Sequence, residues 1–526
     1  MWENTVPGNG GRMYSSVLSA AVYGIEAQII NCEADVSDGL PLFNMVGFLA
    51  SEVKEARDRV RTAMKNSGFG MRPKHITINL SPADMRKSGT GFDLPITLAV
   101  MAAAGMIPEE SLEGLLVVGE LGLDGEIKGI PGILPIVLAA REAGIKKVIV
   151  PGENALEAGV VQGIDCYGCE SLTQLVDFLY GSVNELEPVH VDIGEVFAQQ
   201  ENDMVPDFSE VAGQAAARRA AEIAASGQHN MLMAGPPGAG KSMIAKRMPG
   251  IMPKLSFDES MELTRIYSVA GKLGGGKSLV TRRPFRSPHH TATVNSVIGG
   301  GQYPRPGEVS LAVNGILYLD ELPEFSREVI EALRQPLEDK EVHISRLSAS
   351  YTYPAGFMLV ASMNPCPCGY YPDRNRCTCT SSMINRYRRR ISRPILDRID
   401  LCVNVEEIEY RALSTIGQNE SSETIRERVE KARSIQEERY RGKEINFNSQ
   451  LTGAEIMRFC ELGKEEKKLM ESAFETMNLS ARGYHRILRV ARTIADMDGS
   501  ERINCTHLAE ALGYRMGIAG MDEILQ

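Results

Sequence analysis

The 526-residue chain carries 57 Lys and Arg against 68 Asp and Glu, a net charge of −11, and 43% of its residues are hydrophobic. Such a chain is long enough for several domains, and its charge excludes a basic coat over the whole surface of the kind that wraps nucleic acid. LPITLAVMAAAGMI (Leu94–Ile107) is too short to span a bilayer and no secretory leader opens the chain, so we expect a cytoplasmic protein with reduced cysteines.

Residues 1–12 are rich in Gly and Asn and read as an extension or disordered lead. Residues 13–182 alternate strand-like runs (HITINL, LLVVGEL, KKVIV) with helical ones (SEVKEARDRVRTAMKNSG, GILPIVLAAREAG), the pattern of an α/β domain. Residues 183–206 are acidic and of low complexity, as in a linker. Residues 207–405 form a second α/β region, 406–424 a polar linker, and 425–526 a segment of helical periodicity.

In the second region, NMLMAGPPGAGKSMIAKRM reads as strand, glycine-rich turn and helix. Its centre, Gly235, Pro236, Pro237, Gly238, Ala239, Gly240, Lys241 and Ser242, fits the phosphate loop G-x-x-x-x-G-K-[ST] in full. Its backbone amides would curl around the phosphates of ATP, with Lys241 as point charge and Ser242 as a Mg²⁺ ligand. TRRPFRSPHH follows, offering Arg282, Arg283 and Arg286 either as nucleic-acid contacts or as a solvated basic loop. GILYLDEL is an apolar strand delivering Asp320, to hold Mg²⁺, and Glu321, to polarise the attacking water.

KEVHISRLSASYTYPAGFMLV reads as strand, tight turn, strand. Arg346 near the turn could grip phosphates, while Tyr351 and Tyr353 could stack on bases or, more simply, fill the sheet. GFMLVASMN ends in Asn364, suited to orient the lytic water. Directly after it, Cys366, Cys368, Cys377 and Cys379 form two CxC pairs. In a reducing compartment they favour a closed structural Zn²⁺ site over disulfides, with unligated loop cysteines as the alternative. Eight arginines then lie between Arg374 and Arg398. In ILDRIDL, Arg398 could serve a neighbour's γ-phosphate, or pair with Asp397 or Asp400. In LSARGYHRILRVARTIA, Arg482, Arg486 and Arg489 share nearly one helical face, as a phosphate sensor or a solvated stripe.

GPPGAGKS, RPFRSPHHTAT, GGGQYPRPGEVSLAVNGILYLDELPEF, LVASMNPCPCGY and ILDRIDL, in this order, closely resemble the magnesium-chelatase-like AAA+ ATPases of the ComM/YifB family. The resemblance implies a Lon-protease-like α/β N-terminal domain, an AAA+ P-loop NTPase core with a helix-2 insert and a pre-sensor hairpin, and a C-terminal helical lid domain. It places Asn364 at sensor 1, Arg398 at the trans-acting finger and Arg482 at sensor 2. It also implies a hexameric ring, ATP with Mg²⁺, and branch migration of single-stranded or branched DNA during recombination and natural transformation.

DGEIKGIPGILPIVLAAREAGIKKVIVPGEN resembles the end of a Lon protease domain, but the catalytic lysine would fall on Leu134, and Gly91 lies near the nucleophile position. Ser88 and Lys128 are displaced from both slots, so the Ser–Lys dyad is absent and the domain reads as proteolytically dead. The expectation is therefore an oligomeric DNA motor. The rival readings are a chelatase-type ATPase that remodels a protein partner and an ATP-switched regulator.

Overall fold

The computed structural model describes residues 13–181, 186–199, 206–274, 276–301, 304–346, 349–407, 419–443 and 445–516. The lead 1–12 and most of the expected linker 406–424 lie outside these. The chain divides into two compact units, one of residues 1–201 with 260–281, the other of 202–259 with 282–526. Sequence order alone had assigned residues 260–281 to the second α/β region.

The first unit is built on seven strands: β1 (Tyr14–Tyr23), β2 (Glu26–Ser37), β3 (Leu42–Val46), β4 (His75–Ser81), β5 (Leu115–Val117), β6 (Lys147–Pro151) and β7 (Asp165–Cys169). They pair in the order β3-β4-β2-β1-β5-β6-β7. The β1–β2 and β2–β4 pairs are antiparallel and the others parallel. The apolar run noted above becomes the helix Asp93–Ala103, in which every residue is buried, as expected of a helix apolar on all sides. Among the described residues no helix is long and apolar enough to cross a membrane. The expected linker 183–206 contains a helix, Ile193–Gln199.

Leu134, in the slot of the Lon lysine, is buried, and its amide donates to Glu157 at 2.8 Å. Glu157 also accepts from Asn154 and from Ser268, in the segment that joins this unit from farther along the chain. Ser88 and Lys128 are exposed, and no hydrogen bond joins them among the described residues. A Cβ on Gly91 would meet Ile130 at 2.8 Å, which closes the nucleophile slot to a side chain without rearrangement.

The second unit centres on β8 (Met231–Ala234), β9 (Phe285–Arg286), β10 (Ile316–Leu319), β13 (Met358–Met363) and β14 (Leu401–Asn404), with the hairpin β11 (Glu341–Arg346) and β12 (Ala349–Pro354) between β10 and β13. The five strands run parallel in the order β9-β10-β13-β8-β14. All residues of β8, β10 and β13 are buried, as parallel strands covered on both faces require. The helices Ser422–Tyr440 and Ala481–Met497 share this core: Ile425, Val429, Ile487 and Ile494 belong to one cluster with Met231 and Val403.

The first unit's clearest electrostatic dependence is Asp93. Its side chain is 1% exposed, and Arg59 grips both carboxylate oxygens at 2.6 and 2.8 Å. Removing one partner of such a pair strands a buried charge, so Arg59→Ala is expected to cost about 3 kcal/mol. Arg59→Lys, which keeps the charge but loses the fork, should fall between it and wild type. Urea unfolding monitored by circular dichroism checks both, and unchanged midpoints would show that the pair carries no stability.

Candidate functional site

The C-terminal ends of three adjacent strands supply the site. The phosphate loop leaves β8, Asp320 and Glu321 follow β10, and Asn364 follows β13. In a parallel sheet this edge is where a ligand meets the turns after the strands. Gly235 allows the loop's close approach to β14, since a Cβ there would lie 2.1 Å from the Val405 carbonyl oxygen. Gly240, at φ +91°, opens the helix Lys241–Ile251 from a left-handed conformation that favours glycine.

Lys241 is buried, and its ammonium donates to the carbonyls of Gly235 (2.6 Å) and Pro236 (2.9 Å) and to Asn364 Oδ1 (3.1 Å). Burial pulls its pKa down, against the charges of Asp320 and Glu321. Ser242 Oγ donates to Asp320 Oδ2 at 2.9 Å. Asp320 Oδ1 accepts from Tyr318 (2.9 Å), from Ser362 and from the Glu321 amide (3.2 Å). Burial alone would push this carboxyl up, but the bonds from Ser362, Ser242, Tyr318 and the Glu321 amide outweigh it and hold it below its ordinary value. Hydroxyl and carboxylate therefore converge as an oxygen pair fit for Mg²⁺, which takes few protein ligands alongside phosphates. Glu321 is exposed at φ +52°, a conformation uncommon outside glycine, with its amide tied to Asp320 and Ser362.

Arg398 lies on the turn before β14. Its guanidinium bonds the Pro394 carbonyl (2.6 Å) and pairs with Glu338, rather than with Asp397 or Asp400. The turn itself is clamped. Arg486 donates to the carbonyls of Leu396 (2.9 Å) and Ile399 (2.8 Å) and to Asp397 (3.2 Å), and Asn230 donates to the Arg398 carbonyl at 2.8 Å. Burial would raise the Asp400 carboxyl, yet its hydrogen bond to His229 and the charges of Arg489 and Arg486 hold it at about 2. The three arginines of the sequence stripe thus divide. Arg486 and Arg489 are structural, while Arg482, in the first turn of its helix, is exposed.

The four cysteine sulfurs lie within 4.8 Å of one another. Measured pairs are 3.4 Å (Cys366–Cys368), 3.7 Å (Cys366–Cys377) and 3.6 Å (Cys368–Cys377). Disulfide sulfurs sit about 2.05 Å apart, whereas a Zn–S tetrahedron with bonds of about 2.3 Å spaces its sulfurs by about 3.8 Å. The set fits a four-thiolate metal. Hydrogen bonding, led by the Tyr370 backbone, draws the Cys368 thiol down to about 6, whereas burial pushes the Cys377 and Cys379 thiols up, so a bound cation would have to supply the charge that keeps all four deprotonated. The insertion also packs on the phosphate loop: a Cβ on Gly369 would lie 2.4 Å from the Pro237 side chain.

The residues considered for DNA contact are placed unequally. Residues 285–286 are the edge strand β9, not an open loop. Arg286 forms a fork with Glu308 (2.6 and 2.8 Å), and Arg283 binds Glu259 and the carbonyls of Pro253, Lys254 and Asn314. Arg282 is also engaged within the chain. Arg346 ends β11, paired in register with Ala349, and its side chain lies outside the described residues. Tyr353 is buried and bonds the Pro304 carbonyl, so it fills the sheet.

Sequence reading missed Tyr318, Ser362 and Gln214, and it named Arg486 as part of a sensor or solvated stripe rather than as a clamp on the Arg398 turn. Tyr318 stands two residues before Asp320, and the strand period of two puts both on one face, whereas Ser362 reaches Asp320 and the Glu321 amide from the neighbouring strand β13. Gln214, in VAGQ, spans from the Ala239 carbonyl (3.2 Å) to that of Glu406 (2.6 Å). The stripe named Arg486 but not its partners, which are carbonyls distant in the chain.

Comparison with known families gives the same layout. The model described as Magnesium chelatase, subunit ChlI, matches residues 207–413. Subunit ChlI of Mg-chelatase matches 32–154, and Magnesium chelatase, subunit ChlI C-terminal, matches 419–515. Competence protein ComM of Haemophilus influenzae is 42% identical over 501 residues, covering 95% of this chain and 97% of that one. YifB of Escherichia coli is 42% identical over 503 residues, with the same coverage. Lon protease 2 of Bacillus subtilis is 26% identical over 148 residues, 28% of this chain and 26% of that one.

Arg486→Met should leave buried carbonyls without donors, at about 1–3 kcal/mol each, and loosen the turn that carries Arg398. Nucleotide affinity, set at Lys241, should stay near wild type while turnover falls at least about tenfold, an increment of about 1.4 kcal/mol in barrier. Titration with a fluorescent ATP analogue beside a steady-state ATPase assay separates the two. Wild-type turnover in a folded variant would refute the clamp's role.

Proposed function

The chain belongs to the magnesium-chelatase-type AAA+ ATPase family, alongside ComM and YifB, and from that premise we propose that it is an ATP-driven, ring-forming motor on DNA. Its substrates in this reading are single-stranded or branched recombination intermediates, and its ring is a hexamer. The observation that carries the proposal is the path from hairpin to sensor. β12 ends at Pro354, the three residues 355–357 follow, and β13 runs to Asn364, which is bonded to Lys241. A displacement at the nucleotide therefore has a short, fully buried strand along which to reach the hairpin that carries Arg346.

Lys241 would exchange the Gly235 and Pro236 carbonyls and Asn364 for phosphate oxygens. Ser242 and Asp320 would hold Mg²⁺, which supplies charge neutralisation to the phosphates when bound. Glu321, exposed beside them, would take the attacking water, and Asn364 would orient it. Arg398 would leave Glu338 to reach the nucleotide of a neighbouring copy, with Arg482 as the sensor 2 contact. The first domain, lacking a dyad, would serve assembly or partner binding.

ATP hydrolysis is expected to rise several-fold with single-stranded or forked DNA, and Glu321→Gln should bind ATP yet abolish that turnover. A steady-state ATPase assay with single-stranded, duplex and forked DNA tests this. Hydrolysis indifferent to all three would favour the chelatase-type reading, in which a protein is remodelled and DNA has no part.

For Cys366, Cys368, Cys377 and Cys379 we propose a structural Zn²⁺. Protein purified without chelator should hold about one Zn²⁺ per chain, and replacing Cys366 and Cys377 together by Ser should remove it. Elemental analysis is the measurement, and an absence of metal from the unchelated protein would refute the site.

A further inference from the structure

Beside the acid pair, the short turn Leu322–Glu324 and the helix Ser381–Arg388 enclose a groove of about 960 Å³. Its wall carries four arginines, Arg327, Arg386, Arg389 and Arg390, against one acid, Glu324. We infer that this groove is a seat for the phosphodiester backbone of nucleic acid. The inference deepens the DNA-motor reading and rests on it.

Three observations carry it. First, the arginines are available. All four are exposed, and Arg386 and Arg389 have no ion-pair or side-chain hydrogen-bond partner among the described residues. Arg390 is neutralised by Glu324 at 2.8 Å, and Arg327 lies near the carboxylate of Glu331. In a chain with more acids than bases, two neighbouring guanidinium groups left unpaired repel one another, a repulsion that an anion would relieve.

Second, the helix sorts its arginines by face. Arg388 is buried, bonding the Pro365 carbonyl at 3.2 Å and lying over the Tyr371 ring at 5.2 Å, so it is a packing residue. Ser382, Asn385, Arg386 and Arg389 follow the i, i+3, i+4, i+7 spacing of one helical face, and all four line the groove. Hydroxyl, amide and guanidinium donors are the groups that hold phosphate oxygens, and guanidinium can do so through two parallel bonds. The favourable placing of cations at a helix C-terminus accounts for Arg386 but not for Arg327, which comes from across the groove.

Third, the groove offers no ring for stacking. Phe325 lines it but is 3% exposed, so contact would be to the backbone and indifferent to sequence. The turn that forms one wall follows directly on Glu321. A strand seated here would lie three residues along the chain from the carboxylate that handles the water, giving DNA a direct route to the ATPase.

The test is anisotropy of a labelled single-stranded oligonucleotide with the full chain and a non-hydrolysable ATP analogue, across a salt titration. Arg386→Gln with Arg389→Gln should weaken binding by about tenfold or more at fixed salt. It should also lower the salt slope by roughly 1.4, two phosphates at about 0.7 each for a single strand. Glu324→Gln, which frees Arg390, should bind more tightly than wild type. Unchanged affinity and slope in the double variant, with wild type binding DNA, would overturn the groove and leave the motor reading standing. Wild type that binds no nucleic acid at low salt would instead overturn the motor reading. If the double variant forms smaller assemblies by native mass spectrometry while its chains still bind DNA as wild type does, the groove seats a neighbouring subunit and the inference fails.

Discussion

An ionised carboxylate at the end of a buried strand is costly unless donors surround it. Asp320 meets that constraint with donors from three elements: Ser242 from the helix after β8, Tyr318 from its own strand, and Ser362 from β13. The strand order makes this possible. β13, the last of the three in sequence, is inserted between β8 and β10 in the sheet, so its polar end falls between the phosphate loop and the acid pair. Tyr318 is itself held by the Phe285 ring, stacked 5.6 Å away on the edge strand. The edge strand, which reads as a basic loop, therefore supports the Asp320 carboxylate at one remove.

The second dependence runs from the helical segment to Arg398. The turn before β14 carries Asp397 and Asp400 within four residues, and each is answered by an arginine of the helix Ala481–Met497. His229, just before β8, bonds both Asp400 and Thr493 of that helix. Turn, first strand and helix thus meet in one buried polar network, although the buried Nε atoms of Arg398, Arg486 and Arg489 have no hydrogen-bond partner among the described residues. A rotation of the helix during a nucleotide cycle would carry Arg486 with it, and with Arg486 the carbonyls on either side of Arg398.

Much of this was legible in the sequence, for different reasons. The phosphate loop and the acid pair are encoded locally, as residues of fixed type at fixed spacing, and the structure brings both to one sheet edge. HITINL, LLVVGEL and KKVIV, read as strand-like runs, fall on β4, β5 and β6, whereas β2, β3 and β7 were not singled out. What escaped is long-range pairing. Arg283 and Arg286 look like free cations in TRRPFRSPHH because their partners, Glu259 and Glu308, lie beyond any local window. Arg486 looked like a member of a solvated stripe for the same reason. Residues 260–281 were assigned by position in the chain, yet Ser260 bonds the Val280 carbonyl and Ser268 bonds Glu157, contacts that no periodicity reports.

The cysteine insertion shows how a segment too small for its own core can still be ordered. Between Asn364 and the helix Ser381–Arg388 it has few apolar side chains to bury, and cross-linking four thiolates through one metal, as proposed above, would be a chemical substitute for a core. Cation–aromatic contacts add to it, with Arg376 over Tyr370 at 4.1 Å and Arg374 over Tyr371 at 5.3 Å. These contacts hold Arg374 and Arg376 against aromatic rings at one end of the segment, while Arg386 and Arg389 at the other end have no ion-pair partner among the described residues. Gly369 rests against Pro237, so the cysteine segment, which such a metal clip would hold, also abuts the phosphate loop. Loosening the clip would then disturb both ends at once, which is the mechanical reason for building it between the sensor strand and the arginine-bearing helix.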